Sequence, residues 1–127
     1  MPPVVTKDVN ALEKYQAEVN ANPKSADAHA NLGWGHYGRR QWGEAVAAFQ
    51  AALALEANHF EAHYGLALAR KATQDKPAAV AAFQAARAAA ESGSDPVRRQ
   101  MLTRLITGHI NELTDGDWNL GKHETHT

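Results

Sequence analysis

Apolar positions recur every three or four residues along most of this chain, the spacing of helices with one buried face. Ala45, Phe49, Ala52 and Leu53 share one such face, and Ala79, Phe83 and Ala86 share another. Alanine is frequent and β-branched residues are few, which favours helix over strand. The pattern predicts helices over about 26–38, 42–57, 60–73 and 76–92. "GRRQWG" and "TQDKP" separate the members of each pair, with Pro77 tolerated in a first turn. Ser25 and Asn58 stand where N-caps of the first and third of these helices are expected.

The buried faces are copies of each other. "AVAAFQAA" occurs at Ala45–Ala52 and again at Ala79–Ala86, with starts 34 residues apart. At that offset Ala28, His29 and Leu32 fall on Ala62, His63 and Leu66, and Ala54 falls on Ala88. A helix–turn–helix unit with this period is a repeat architecture, in which each unit completes its core against its neighbours.

These residues resemble the tetratricopeptide repeat family, whose pattern is W-x2-L-G-x2-Y…A-x3-F…P. The first unit matches at Leu32, Gly33, Ala45, Phe49 and Ala52, and departs at His29, His36 and Ala57. The second matches at Leu66, Ala67, Ala79, Phe83 and Ala86, and departs at His63, Arg70 and Glu91. Extended backwards, the period places Ala11, Tyr15 and Pro23 on the Ala, Phe and Pro positions, so a half-unit precedes the first repeat. The resemblance implies an all-α, right-handed solenoid of about two and a half units. Its parts are a half-repeat over 5–24, repeats over 25–58 and 59–92, and a capping helix over 95–114.

After Glu91 the phase slips. "SGSDP" breaks the helix, and "VRRQMLTRLITGHINEL" begins another with Val97, Met101, Leu102, Leu105, Ile110 and Leu113 read as one apolar stripe. Such a helix is expected to cover the open end of the solenoid. Residues 115–127, "DGDWNLGKHETHT", show no periodicity and read as a polar tail beyond the 1–114 solenoid. Trp118 and Leu120 are its two apolar docking residues.

Composition narrows the function classes. Hydrophobic residues make up 44% of the 127, charged residues 21%, and the net charge is −1. That balance gives no field for gathering phosphates, so nucleic acid is not an expected partner. The absence of cysteine removes disulfides, thiolate chemistry and Cys-based zinc sites. No apolar leader or membrane-length run is seen, which leaves a cytoplasmic location as the expectation.

Three motifs invite chemistry. "GWGHYG" has dinucleotide-binding glycine spacing but lies inside a predicted helix, where backbone N–H groups are already bonded. His59 and His63 are one turn apart and His29 is one repeat before His63, yet no third ligand recurs with them. "DGDWNLG" begins like a calcium loop, but its glycine falls one place late and His126 takes the closing acidic position. No hydrolase elbow, phosphate loop or zinc-protease motif occurs. No cofactor, metal or catalytic residue is therefore expected.

The family resemblance implies that the first helix of each unit lines a concave groove for segments of other proteins. Opposite Leu32 and Gly33 lie Asp27, Ala30, Trp34 and Tyr37; one repeat later come Glu61, Tyr64, Leu68 and Lys71. Trp34, Tyr37, Tyr64 and Leu68 form an apolar strip with Glu61 and Lys71 beside it. Asn31 is the one match to the clamp by which some members grip a C-terminal carboxylate. The expected function is a non-catalytic protein–protein adaptor, an accessory subunit or assembly factor of a larger complex, taking an apolar peptide or helix. The alternatives are a metal- or ligand-responsive module using the histidines, and a strip covered by the chain's own end.

Overall fold

In the computed structural model the chain is described over residues 3–126, with side chains described over 11–114. Six helices follow one another: α1 (Pro3–Ala21), α2 (Ala26–Gly38), α3 (Trp42–Leu55), α4 (Phe60–Ala72), α5 (Lys76–Glu91) and α6 (Pro96–His126). No strand occurs among the described residues. Each helix packs on the next, and α2 also meets α4. Contact between sequence neighbours plus one helix two places on is how a helical-repeat solenoid is built.

Phe49 and Phe83, the repeated aromatic, are both fully buried, one in each of two core clusters. The space for Phe49 is made by glycine. A Cβ on Gly33 would lie 2.6 Å from its ring, and one on Gly65 only 2.3 Å. The ring is thus held between α2 of its own repeat and α4 of the next. Gly35 plays a similar part towards α1, where a Cβ would approach Tyr15 and Leu12 at 3.0 and 3.1 Å. The "GWGHYG" glycines Gly33 and Gly35 serve close helix packing, one against each neighbouring helix.

The repeat is also written into loops and caps. Arg40 and Gln74 adopt left-handed φ of 61° and 65° at equivalent turns, a conformation that costs a non-glycine residue about 1 kcal/mol or more. His29 donates from Nε2 to the Pro23 carbonyl, and His63 donates likewise to Ala57, both at 2.8 Å. Where the family pattern has tryptophan, imidazole thus ties each first helix to the loop before it. Ser25 caps α2 by accepting the Ala28 N–H at 3.2 Å. The cap of α4 is His59 rather than Asn58: its Nδ1 accepts the Ala62 N–H at 3.2 Å. The equivalent of Ser25 one period on is residue 59, so repeat register decides the cap over side-chain preference.

In α6 the expected single stripe divides into two. Ile106, Ile110 and Leu113 are buried and join the Phe83 cluster, whereas Val97, Met101 and Leu105 are 68%, 65% and 49% exposed. Residues 97, 101 and 105 follow a line of their own, well round the helix from the line through 106, 110 and 113. The helix does cover the end of the solenoid, through α5. Its backbone continues past Thr114 to His126, through the stretch read from sequence as a tail. Trp118 and Leu120 lie outside the described side chains.

Candidate protein-binding groove

The first helices α2 and α4 stand side by side and present the expected row of aromatics. Trp34 meets Phe49 edge-on at 5.1 Å and Tyr37 at 5.7 Å, and its ring lies 6.5 Å from Tyr64. Tyr37 continues to Trp42 at 5.1 Å; Tyr64 continues to Phe60 at 5.6 Å and Phe83 at 6.0 Å. The result is one connected aromatic strip running across the two repeats. Trp34, Tyr37, Tyr64 and Leu68 are all half-buried, packed against the core clusters with part of each side chain exposed. Asn31 and Glu61 are exposed beside them. Ala30, also on this face by sequence, is buried beneath it.

At one edge of the strip Asp27 and His59 join the two repeats. Because His59 Nδ1 accepts from Ala62, its Nε2 carries the proton and donates to Asp27 Oδ1 at 2.6 Å. The bond runs between helix starts 32 residues apart and fixes the spacing of α2 and α4 at the groove's rim.

The other edge is closed by α6. The backbones of α4 and α6 stay more than 8 Å apart among the described residues, and side chains alone bridge them. Lys71 Nζ donates to Glu112 Oε1 at 2.6 Å and approaches His109 Nδ1 at 3.4 Å. An ammonium only donates, so Nδ1 must accept; His109 is then neutral, with Nε2–H directed at the Tyr64 hydroxyl at 3.2 Å. The imidazole also stacks on Phe83 at 4.7 Å and 5°. Burial, then the Lys71 charge, holds the His109 pKa below its usual value, with Glu112 opposing. Burial raises the Tyr64 pKa, and the hydrogen bond and charge of Lys71 lower that of Glu112. Lys71, expected on the rim, is therefore engaged within the fold. No 34-residue periodicity extends to α6, so nothing in the repeat pattern signalled Glu112 or His109 as its partners.

Five histidines fall within the described side chains and each has a structural partner. His29 and His63 bond loop carbonyls, His59 caps α4, His109 stacks on Phe83, and His36 donates to Gln41 Oε1 at 2.7 Å. No group of three His, Asp or Glu able to hold a metal occurs among the described residues. No helix there is long and apolar enough to cross a membrane.

Comparison with known proteins agrees with this geometry. The tetratricopeptide repeat family profile matches residues 26–59, the first full repeat. No curated protein matches the chain by sequence. Among solved structures, PcrH in complex with the chaperone-binding region of PopD superposes with a TM-score of 0.80 at 18% identity, over 89% of this chain and 83% of that one. The TPR2B domain of yeast Sti1, solved with an Hsp70 peptide, gives 0.68 at 20% identity, over 84% and 87%. The Sgt2 TPR domain of Aspergillus fumigatus gives 0.69 at 18%, over 90% and 75%. At such identities these likenesses establish the fold.

Proposed function

We propose that this chain, which is a tetratricopeptide-repeat protein, works as a non-catalytic adaptor that holds an apolar segment of a partner protein in its concave groove. The observation that carries the reading is the connected strip of Trp34, Tyr37 and Tyr64, half-buried and open along one side. Rigid aromatics packed against a core with part of each side chain exposed bury much area at low entropic cost, the usual make-up of interface hot spots. Solved structures of the same fold, PcrH with a region of PopD and the Sti1 domain with an Hsp70 peptide, contain protein segments as partners.

The groove suits an apolar segment better than a bare C-terminal carboxylate. A carboxylate clamp needs unengaged cations, and Lys71 is already taken by Glu112. On α2 and α4 the matching clamp position is Asn31, which carries no charge. An accessory subunit or assembly factor of a larger complex is the role that fits such a module.

The test is affinity capture from the native source followed by direct binding measurements on the recovered partner. Wild-type protein should bind it, and a Trp34→Ala/Tyr64→Ala variant, first shown to be folded, should not. Undiminished binding by that variant would place the interface elsewhere.

A further inference from the structure

We propose that the outward row of α6, Val97, Met101 and Leu105 with Arg98 and Arg104 beside it, forms a third wall of the groove and takes an apolar partner segment carrying acidic residues. This extends the groove reading above and depends on it for the other two walls.

Among the described residues no other element covers this row. Of the four exposed large apolar side chains among the described residues, three stand here. The α5 contact is already complete on the line through Ile106, Ile110 and Leu113. Single exposed apolar residues need no explanation, but three on successive turns of one face make a contact surface. Beside them lies a depression of about 430 Å³ bounded by Val97, Gln100, Met101, Leu102, Arg104 and Leu105.

Its position follows from how α6 meets Phe83. His109 stacks on Phe83 where, one repeat earlier, Gly65 closes on Phe49. In that register Ile106 and Leu113 take the buried places of Ala62 and Ala69, as their own burial bears out. The same register puts Leu105 at the place of Glu61 and Glu112 at that of Leu68, both on the groove row. Met101 lies one turn before Leu105. The side chains of Arg98 and Glu61, 3.7 Å apart, span the seam between this wall and α4.

Charge selects the occupant. From Pro96 to Asn111 there are three arginines and no carboxylate, in a protein of net charge −1. Arg99 is occupied by the Gly93 carbonyl at 2.9 Å. Arg98 has only its exposed pair with Glu61, an arrangement of little strength in water. Arg104 is exposed, with no ion pair or hydrogen bond among the described residues. Glu112, the nearest acid along α6, is held by Lys71. An apolar segment with Asp or Glu beside its anchors therefore meets complementary charge here, and a lysine-bearing one meets repulsion.

Two labelled helical peptides with the same leucine pattern test this, one with glutamates and one with lysines on the polar face. By fluorescence anisotropy at low salt, the acidic peptide should bind at least about tenfold more tightly, an advantage that shrinks as salt screens it. Met101→Ser/Leu105→Ser should weaken that binding by about tenfold or more, and Arg98→Glu/Arg104→Glu should reverse the preference. All four positions are exposed, so these variants are expected to fold, which circular dichroism checks. Equal binding of the two peptides, binding of neither, or acidic binding indifferent to the α6 changes would overturn the proposal. So would a wild-type dimer in sedimentation that Met101→Ser/Leu105→Ser dissolves, since the row would then belong to a second copy. Loss in Trp34→Ala with none in the α6 variants would keep the groove and remove α6 from it. The opposite pattern would support the α6 row and sink the groove reading.

Discussion

Gly65→Ala offers a test in which helix propensity and packing predict opposite signs. In an exposed helix interior, replacing glycine by alanine stabilises by about 1 kcal/mol. At Gly65 the added methyl would lie 2.3, 2.5 and 2.7 Å from Phe49 Cζ, Cε1 and Cε2. Carbon atoms rest at about 3.5–4.0 Å, so ring or helix must retreat by roughly 1 Å. The ring has no free direction: it is fully buried, Gly33 closes its other side, and Trp34 stands edge-on at 5.1 Å. Overpacking of this kind costs about 1–3 kcal/mol, and the upper part of that range applies to a ring clamped on two sides. After subtracting the propensity gain, a net loss of about 1–2 kcal/mol is expected. At this chain length that lowers the melting temperature by about 3–8 °C. Gly108→Ala is the internal control. A Cβ there meets nothing within 4 Å, so the propensity gain should appear undiminished as a rise of a few degrees. Both are read by thermal melts followed by circular dichroism. A Gly65→Ala protein that melts at or above the wild-type temperature would refute the packing of Phe49 between α2 and α4.

Other outcomes follow from the same contacts. Phe83→Ala removes a fully buried ring and should cost about 3–5 kcal/mol, a large share of the stability of a small domain, as measured by urea unfolding. Since the folded state lowers the His109 pKa, the unfolded chain binds the proton more readily. Stability from this group is therefore complete above the unfolded value of about 6.5 and declines as pH falls through the lower folded value. His109→Gln should flatten that acid-side slope in melts between about pH 5 and 7, and an unchanged slope would acquit the residue. Trp34→Ala should lose at least about 2 kcal/mol of partner binding by calorimetry. Because Trp34 also leans on Phe49, that variant should melt somewhat earlier, and binding must be read well below its transition.

What was legible in the sequence was whatever the 34-residue period carried. Phe49 and Phe83 are equivalent core residues because they occupy one place in a repeated unit, and the identity of the octapeptide reports this directly. The aromatic strip was legible for the same reason: Trp34, Tyr37 and Tyr64 sit opposite the packing face of helices whose phase the repeat fixes. Where the period ends, apolarity alone was ambiguous. Val97, Met101 and Leu105 read as core with Leu102, Ile110 and Leu113, although Ile106 is the residue that α5 buries most deeply. Lys71 read as a free rim charge because its partners lie 38 and 41 residues on, in a helix outside the register. His59 displaced Asn58 as cap because the repeat fixes where α4 begins.

The central claim, that partner segments lie along the concave row of first helices, is tested most directly by site-specific photo-crosslinking of the recovered complex. A benzophenone side chain would be placed at Tyr37 or Leu68 on the groove and at Gln50 or Gln84, exposed on the second helices α3 and α5. The account predicts that Tyr37 and Leu68 proteins crosslink to the partner and that Gln50 and Gln84 proteins do not. Strong crosslinking from Gln50 or Gln84, with none from Tyr37 and Leu68, would contradict it.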